Sequence, residues 1–148
     1  MKNTLLFCLI SAGLTNCSKA GNDPPAPSAP SIALLAAGTW QWTAMSYIAT
    51  PKMGGTAVTN HSVIPPGVMA VTYRSDGTMR VVYSSTSQVG SYTLTGSTLT
   101  TLLSNNPALF PYDTLTSAVK ELTAHRLVLE SPREHPGFSY IDTYTFAR

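Results

Sequence analysis

The chain has 148 residues, enough for one domain, and only 11% of them are charged, nine Lys and Arg against seven Asp and Glu. No run of like charge occurs, so there is no electrostatic footprint for a nucleic acid or a strongly acidic partner, and nucleic-acid binding is excluded on that ground. Hydrophobic residues make up 43%, and twenty Thr and seven Tyr against four Lys favour pleated, half-buried surfaces over helices, which predicts an all-β chain.

The first segment, residues 1 to 16, is "MKNTLLFCLISAGLTN": Lys2 beside the amine, then an uncharged apolar stretch from Leu5 to about Leu14. It is shorter than the roughly 18 apolar residues a spanning helix needs and runs into polar, proline-containing sequence, the pattern of a secretion signal. Cys8, inside the apolar stretch, is a small hydrophobe of that signal. The segment ends in Leu14-Thr15-Asn16-Cys17, which resembles the lipobox of bacterial lipoproteins. The resemblance implies cleavage before Cys17, a diacylglycerol on its thiol, and attachment to a membrane of the cell envelope. Ser18 in place of Asp resembles the outer-membrane sorting pattern, with the periplasmic or surface face left open. The rival reading is cleavage after Ala20 in "SKA", which releases a soluble secreted or periplasmic protein.

Both cysteines lie at or before position 17, so the remainder must be stable without disulfides and has no thiolate for catalysis or metal binding. Residues 17 to 37 carry Pro24, Pro25, Pro27 and Pro30 among Ala, Ser and Gly, and are expected to form a tether with an extended contour of at most about 60 Å.

Strand signals fill residues 38 to 148. "TWQWTAMSYIA" from Thr39 alternates, Trp40, Trp42, Ala44 and Ser46 against Gln41, Thr43, Met45 and Tyr47. A short strand is expected near Thr56 to Val63. Met69, Val71 and Tyr73 alternate into Ser75-Asp76-Gly77, and Met79, Val81 and Tyr83 alternate out of it, the pattern of a hairpin. "GSYTLTGSTLTTLL" repeats the device around Gly96-Ser97, "AVKELTA" and "RLVLE" reverse near His125, and "SYIDTYTFA" places Tyr140, Asp142, Tyr144 and Phe146 on one face. "NPALFPYDTLTSAV" has room for one short helical turn. Eight or nine strands in this order predict an antiparallel up-and-down meander. It closes either as an eight-stranded barrel, which removes all edges, or as a two-sheet β-sandwich, which does not.

Residues 38 to 40, "GTW", look like the Gly-x-Trp opening of lipocalins, whose Trp plugs the closed end of the barrel beneath an Arg from beyond the last strand; Arg148 stands where that Arg would. "VTYRSDGTM", "GSYTLTGSTLT" and "ELTAHRLVLE", in that order, resemble the lipocalin-like domain of small bacterial lipoproteins, while the middle Thr-Asp-Tyr motif of true lipocalins is absent. The resemblance implies a lipocalin-like barrel over residues 38 to 148, with Gly38, Trp40 and Arg148 closing it.

An eight-stranded barrel either is filled by its own side chains or admits one small ligand, and an open void above roughly 300 Å³ distinguishes the two. Trp42, Tyr73, Tyr83, Tyr92 and Tyr144 are the candidates to line such a void; each also has a plain core role available. Asp142, on the same face as Tyr140 and Tyr144, is expected to be buried, either with a shifted pKa or accepting a Tyr proton in a closed network. His61, His125 and His135 fall in separate turns or loops, so no metal site is expected, and no catalytic motif or cofactor fingerprint occurs. The expected function is non-catalytic: an anchored barrel that sequesters a small apolar molecule. The alternative is a solid barrel whose loops at 50 to 67, 104 to 116 and 131 to 138 contact an envelope protein.

Overall fold

Turn chemistry divides the chain into antiparallel strands. At the reversal after Tyr73, Gly77 takes φ +83°, and the Asp76 carboxylate accepts from both the backbone N–H (2.9 Å) and the hydroxyl (2.7 Å) of Thr78. The structure is a computed structural model and describes residues 30–103 and 114–148. In chain order it contains a short helix, α1 (Ile32–Leu35), then β1 (Thr39–Pro51), β2 (Val58–Val63), β3 (Met69–Tyr73), β4 (Thr78–Tyr83), β5 (Thr86–Thr95), β6 (Thr98–Leu103), β7 (Thr114–Leu122), β8 (Arg126–His135) and β9 (Phe138–Ala147).

Every neighbouring pair is antiparallel, and β9 returns to pair along β1 from Gln41↔Ala147 to Pro51↔Phe138, so β1 and β3 to β9 close an eight-stranded barrel. β2 is the additional strand. It follows β3 along one edge of β1, with Val58–Val63 facing Ala49–Ala44 and Ala70–Thr72 facing Gln41–Thr39. Pro65, Pro66 and Gly67 (φ +81°) make the detour between the two. β2 overshoots the barrel wall, and all six of its residues are exposed. The barrel, not the sandwich, is the architecture.

Strand periodicity puts alternate residues inside. Met69, Val71 and Tyr73 of β3, Met79 and Val81 of β4, Tyr92 of β5, Leu99 of β6, Val119 of β7, Leu127 and Leu129 of β8 and Phe146 of β9 form one buried cluster. β1 departs from the alternation expected of it. A register shift between Trp42 and Ala44 inserts one residue, so Trp40 faces the core while farther along Met45 lines the interior and Ala49 is buried.

Two boundaries also differ from expectation. Residues 30 to 37 belong to the fold: Ser31 caps α1 by accepting from the Leu34 N–H (3.3 Å), and Leu35 is fully buried, a contribution of about 1.5–3 kcal/mol that a free tether would forgo. The segment "SPREHPGF" is strand, not loop, because its reversal falls at Pro136-Gly137, carrying β8 through Pro132 and Arg133 to His135. Within 50 to 67 the strand expected near Thr56 to Val63 is β2, and β1 runs on to Pro51. The short helical turn allowed between Pro107 and Pro111 is an expectation that lies outside the described residues, and from Thr114 the same sequence is β7.

Candidate functional site

One end of the barrel is shut. The guanidinium of Arg148 lies 4.3 Å over the Trp40 ring, and its N–H groups donate to the carbonyls of Ala124 and Leu34. The Trp40 indole N–H donates to Leu35 O at 2.8 Å, tying α1 beneath the plug. Gly38 lies beside the Arg148 side chain, a Cβ there coming to ordinary contact at 3.4 Å from Arg148 Cδ.

Above this plug the interior holds a cavity of about 270 Å³, near the lower limit of small-molecule sites. Its wall is chiefly apolar and flexible: Met45, Met69 and Met79 with Val71, Val81 and Leu129. Tyr73 and Tyr144 are the two predicted aromatics that line it. Trp42, Tyr83 and Tyr92 do not. The bulge beside Trp42 turns its indole N–H back onto Ala44 O (3.0 Å), with the ring against Tyr144 at 6.2 Å. Tyr92 is buried behind Tyr73, rings edge to face at 5.0 Å, and its hydroxyl donates to Arg74 O at 2.6 Å. Tyr83 ends β4 and is 36% exposed. Burial drives the Tyr73 hydroxyl well above the ordinary phenol range, with Tyr92 adding to the shift, so Tyr73 stays neutral.

The polar part of the wall comes from β6 to β9: Thr101, Ser117, Arg133 and Asp142. Asp142 is 3% exposed and takes both of its partners from one side chain, Arg133 Nε to Oδ2 at 3.0 Å and Arg133 Nη2 to Oδ1 at 3.4 Å. The same guanidinium stacks 4.3 Å over Tyr140. Asp142 is buried as expected, and its partner is an arginine in place of the tyrosine hydroxyl that was one of the two alternatives. Arg133 is the site residue missed in the sequence. Taking Pro136-Gly137 as a hairpin turn is the signal that would have placed Arg133 opposite Tyr140, beside Asp142.

A second feature lies beside the pair. β7 and β8 pair from Leu122↔Leu127 to Ala118↔Glu130, with a bulge between Val119 and Glu121, and no pair follows, although both strands continue. The reason is Pro132. The N–H of Arg148 bonds His125 O while the N–H of Thr123 bonds Arg126 O, so odd residues of β8 face β9 and even ones face β7. Pro132 thus presents its missing donor to β7, and the ladder stops. At the last closed point the buried Ser117 and Ser131 hydroxyls bridge the strands at 2.6 Å. Beyond them a cleft of about 570 Å³ opens between Thr114–Ala118 and Ser131–Glu134. It shares Leu115, Ser117, Arg133, Asp142 and Tyr144 with the interior cavity.

His61 lies on exposed β2, His125 in the β7–β8 turn and His135 at the end of β8, and among the described residues no three metal-ligating side chains gather. No helix among them is long and apolar enough to cross a membrane. Cys17 lies outside the described residues.

A closed eight-stranded barrel plugged by a Trp–Arg pair and hollow above it is a lipocalin-like fold. The solved structures it matches include a lipocalin-like protein from Bacteroides uniformis ATCC 8492, at TM-score 0.52 and 16% identity over 77% of this chain and 98% of that one. Another is an uncharacterized protein from Bacteroides eggerthii DSM 20697, at TM-score 0.50 and 14% identity over 75% of this chain and 97% of that one. At these identities the likeness concerns the fold. No family model and no curated protein sequence matches the chain.

Proposed function

We propose that the barrel binds one small apolar molecule and sequesters it without chemical change. The observation that carries this reading is the 270 Å³ cavity walled by three methionines, whose unbranched side chains conform to differently shaped guests. Its size, a little under the 300 Å³ expected of a binder, points to a small guest, with burial of apolar surface contributing roughly 25 cal/mol per Å² before ordering costs. The test is a toluene titration of protein labelled with ¹³C at the methionine methyls. Met45, Met69 and Met79 should shift, and Met53, 99% exposed, should not. Unmoved cavity methyls at saturating toluene overturn the reading.

Anchoring through diacylglycerol on Cys17, at the outer membrane, belongs to the same proposal; it rests on the lipobox resemblance and the proline-rich segment that follows. Mass spectrometry of the mature N-terminus tests it, since an unmodified chain starting at Gly21 removes the anchor. A second reading, docking of an envelope protein, draws on β2, whose outer edge is unpaired among the described residues and exposed throughout.

A further inference from the structure

We propose that the guest is an uncharged amphiphile, its apolar body among the cavity methionines and its hydrogen-bonding head at the Arg133–Asp142 pair, where the β7–β8 ladder is open. This deepens the binding function proposed above and rests on it.

The two openings of the wall meet at one place, since the interior cavity and the lateral cleft share Arg133, Asp142 and Ser117. A guest lying in the cavity finds its charged and most of its hydrogen-bonding neighbours there, because the β3 and β4 walls offer Met69, Val71, Met79 and Val81 with the Tyr73 hydroxyl as their polar group. A polar head left among those methionines and valines would be buried without a partner, a costly arrangement.

Charge then selects the head. Asp142 and Arg133 neutralise one another through two hydrogen bonds, so the subsite is net neutral yet presents both signs within 3.0 Å. An anionic head attracted to the guanidinium faces the Asp142 carboxylate, and a cationic head attracted to the carboxylate faces the guanidinium. Either must also be stripped of water beside a pair that is already compensated. A hydroxyl or amide, which donates and accepts, suits both members and leaves their bonds intact. The Thr101 and Ser117 hydroxyls on the same wall add neutral donors and acceptors.

The test compares octan-1-ol, octanoate and octylammonium, three probes of one chain length, with toluene as the headless control, by calorimetry at neutral pH. Native protein should bind octanol at least about tenfold tighter than either charged probe. Any apolar cavity disfavours charge, so the deciding measurement is the double variant Arg133→Met, Asp142→Leu, a swap of a buried pair for apolar groups that folded proteins tolerate. There octanol should weaken about tenfold relative to toluene, while toluene itself binds as before. Octanol affinity unchanged relative to toluene in the double variant overturns the proposal, as does tightest binding of octanoate or octylammonium to the native barrel. Toluene binding alongside either result leaves the apolar binding function standing. Failure of all four probes removes that function and this proposal together.

Discussion

The hydroxyls of Ser117 and Ser131 lie 2.6 Å apart inside the barrel, at the last point where β7 and β8 still touch. Each is at most 2% exposed, so each hydroxyl depends chiefly on the other. Ser131→Ala should cost about 1–3 kcal/mol, because it strands the Ser117 hydroxyl, and Ser117→Ala should do the same in reverse. The double alanine variant should lie closer to the native protein than the sum of the singles. Urea unfolding of the four proteins measures this, and strict additivity would show that the two hydroxyls do not depend on one another.

Pro132 accounts for the open ladder beyond that bridge. Pro132→Val restores an N–H on the side of β8 that faces β7, opposite Thr116 by extension of the Ala118↔Glu130 register. The strands should then zip by one further pair, and the new amide at this position should be protected from hydrogen exchange to the same degree as that of Glu130. Toluene should enter and leave more slowly, with little change in affinity. A new amide that exchanges freely would mean that the proline is a passenger in the cleft and not its cause.

How much of this was legible beforehand follows from what each feature depends on. The Asp76-Gly77 hairpin and the shared face of Asp142, Tyr144 and Phe146 depend on strand period and turn chemistry, which neighbouring residues express. Closure of β1 on β9 was legible only through the resemblance carried by "GTW" and Arg148, since the two strands are distant in sequence. The face of Met45 was not legible. It depends on a bulge at Trp42 that no residue type announces, and one inserted residue exchanges inside for outside. Arg133 was hidden by the prolines on either side, Pro132 and Pro136, which mark a loop by composition but here mark an open strand edge and a hairpin turn. The cavity itself is a difference in side-chain volumes around a ring of eight strands, a quantity that becomes defined only when the ring has closed.

Arg148 over Trp40 at 4.3 Å couples the last residue to the first strand, and through the Ala124 and Leu34 carbonyls to the β7–β8 turn and to α1. Arg148→Met keeps the apolar stem and removes the charge and its donors, with an expected loss of about 1–2 kcal/mol. Trp40→Phe strands the Leu35 carbonyl and should cost a similar amount. Combined, the two should cost less than their sum, because Trp40→Phe shrinks the ring under the Arg148 guanidinium and Arg148→Met removes that guanidinium. Loss of near-ultraviolet circular dichroism at a lower denaturant concentration reports the effect. A midpoint unchanged by Arg148→Met would assign the closed end to Leu35 and Trp40 alone.

The Asp76 carboxyl titrates below its usual range, first because the Thr78 hydroxyl and N–H both donate to it, and then through the nearby Arg74 charge. A folded-state value below the unfolded one means that the unfolded chain takes up the proton first as the solution is acidified. The stabilisation is therefore complete above the unfolded value of about 3.9 and is lost as pH falls through the folded value. Glu134 is lowered too, by Lys52 and Ser139, so the acid limb of the native stability curve contains both carboxyls. Thr78→Val isolates the turn, since it deletes the hydroxyl donor but keeps a β-branched residue in β4 and leaves Glu134 untouched. The stability gap between native and variant should be widest at neutral pH and should narrow steadily below about pH 4. Urea unfolding across that range measures the gap, and the Asp76 carboxyl carbon followed by NMR should titrate at higher pH in the variant. A gap that stays constant from neutral to acid pH would assign the cost of Thr78→Val to packing and leave the hairpin without its electrostatic lock.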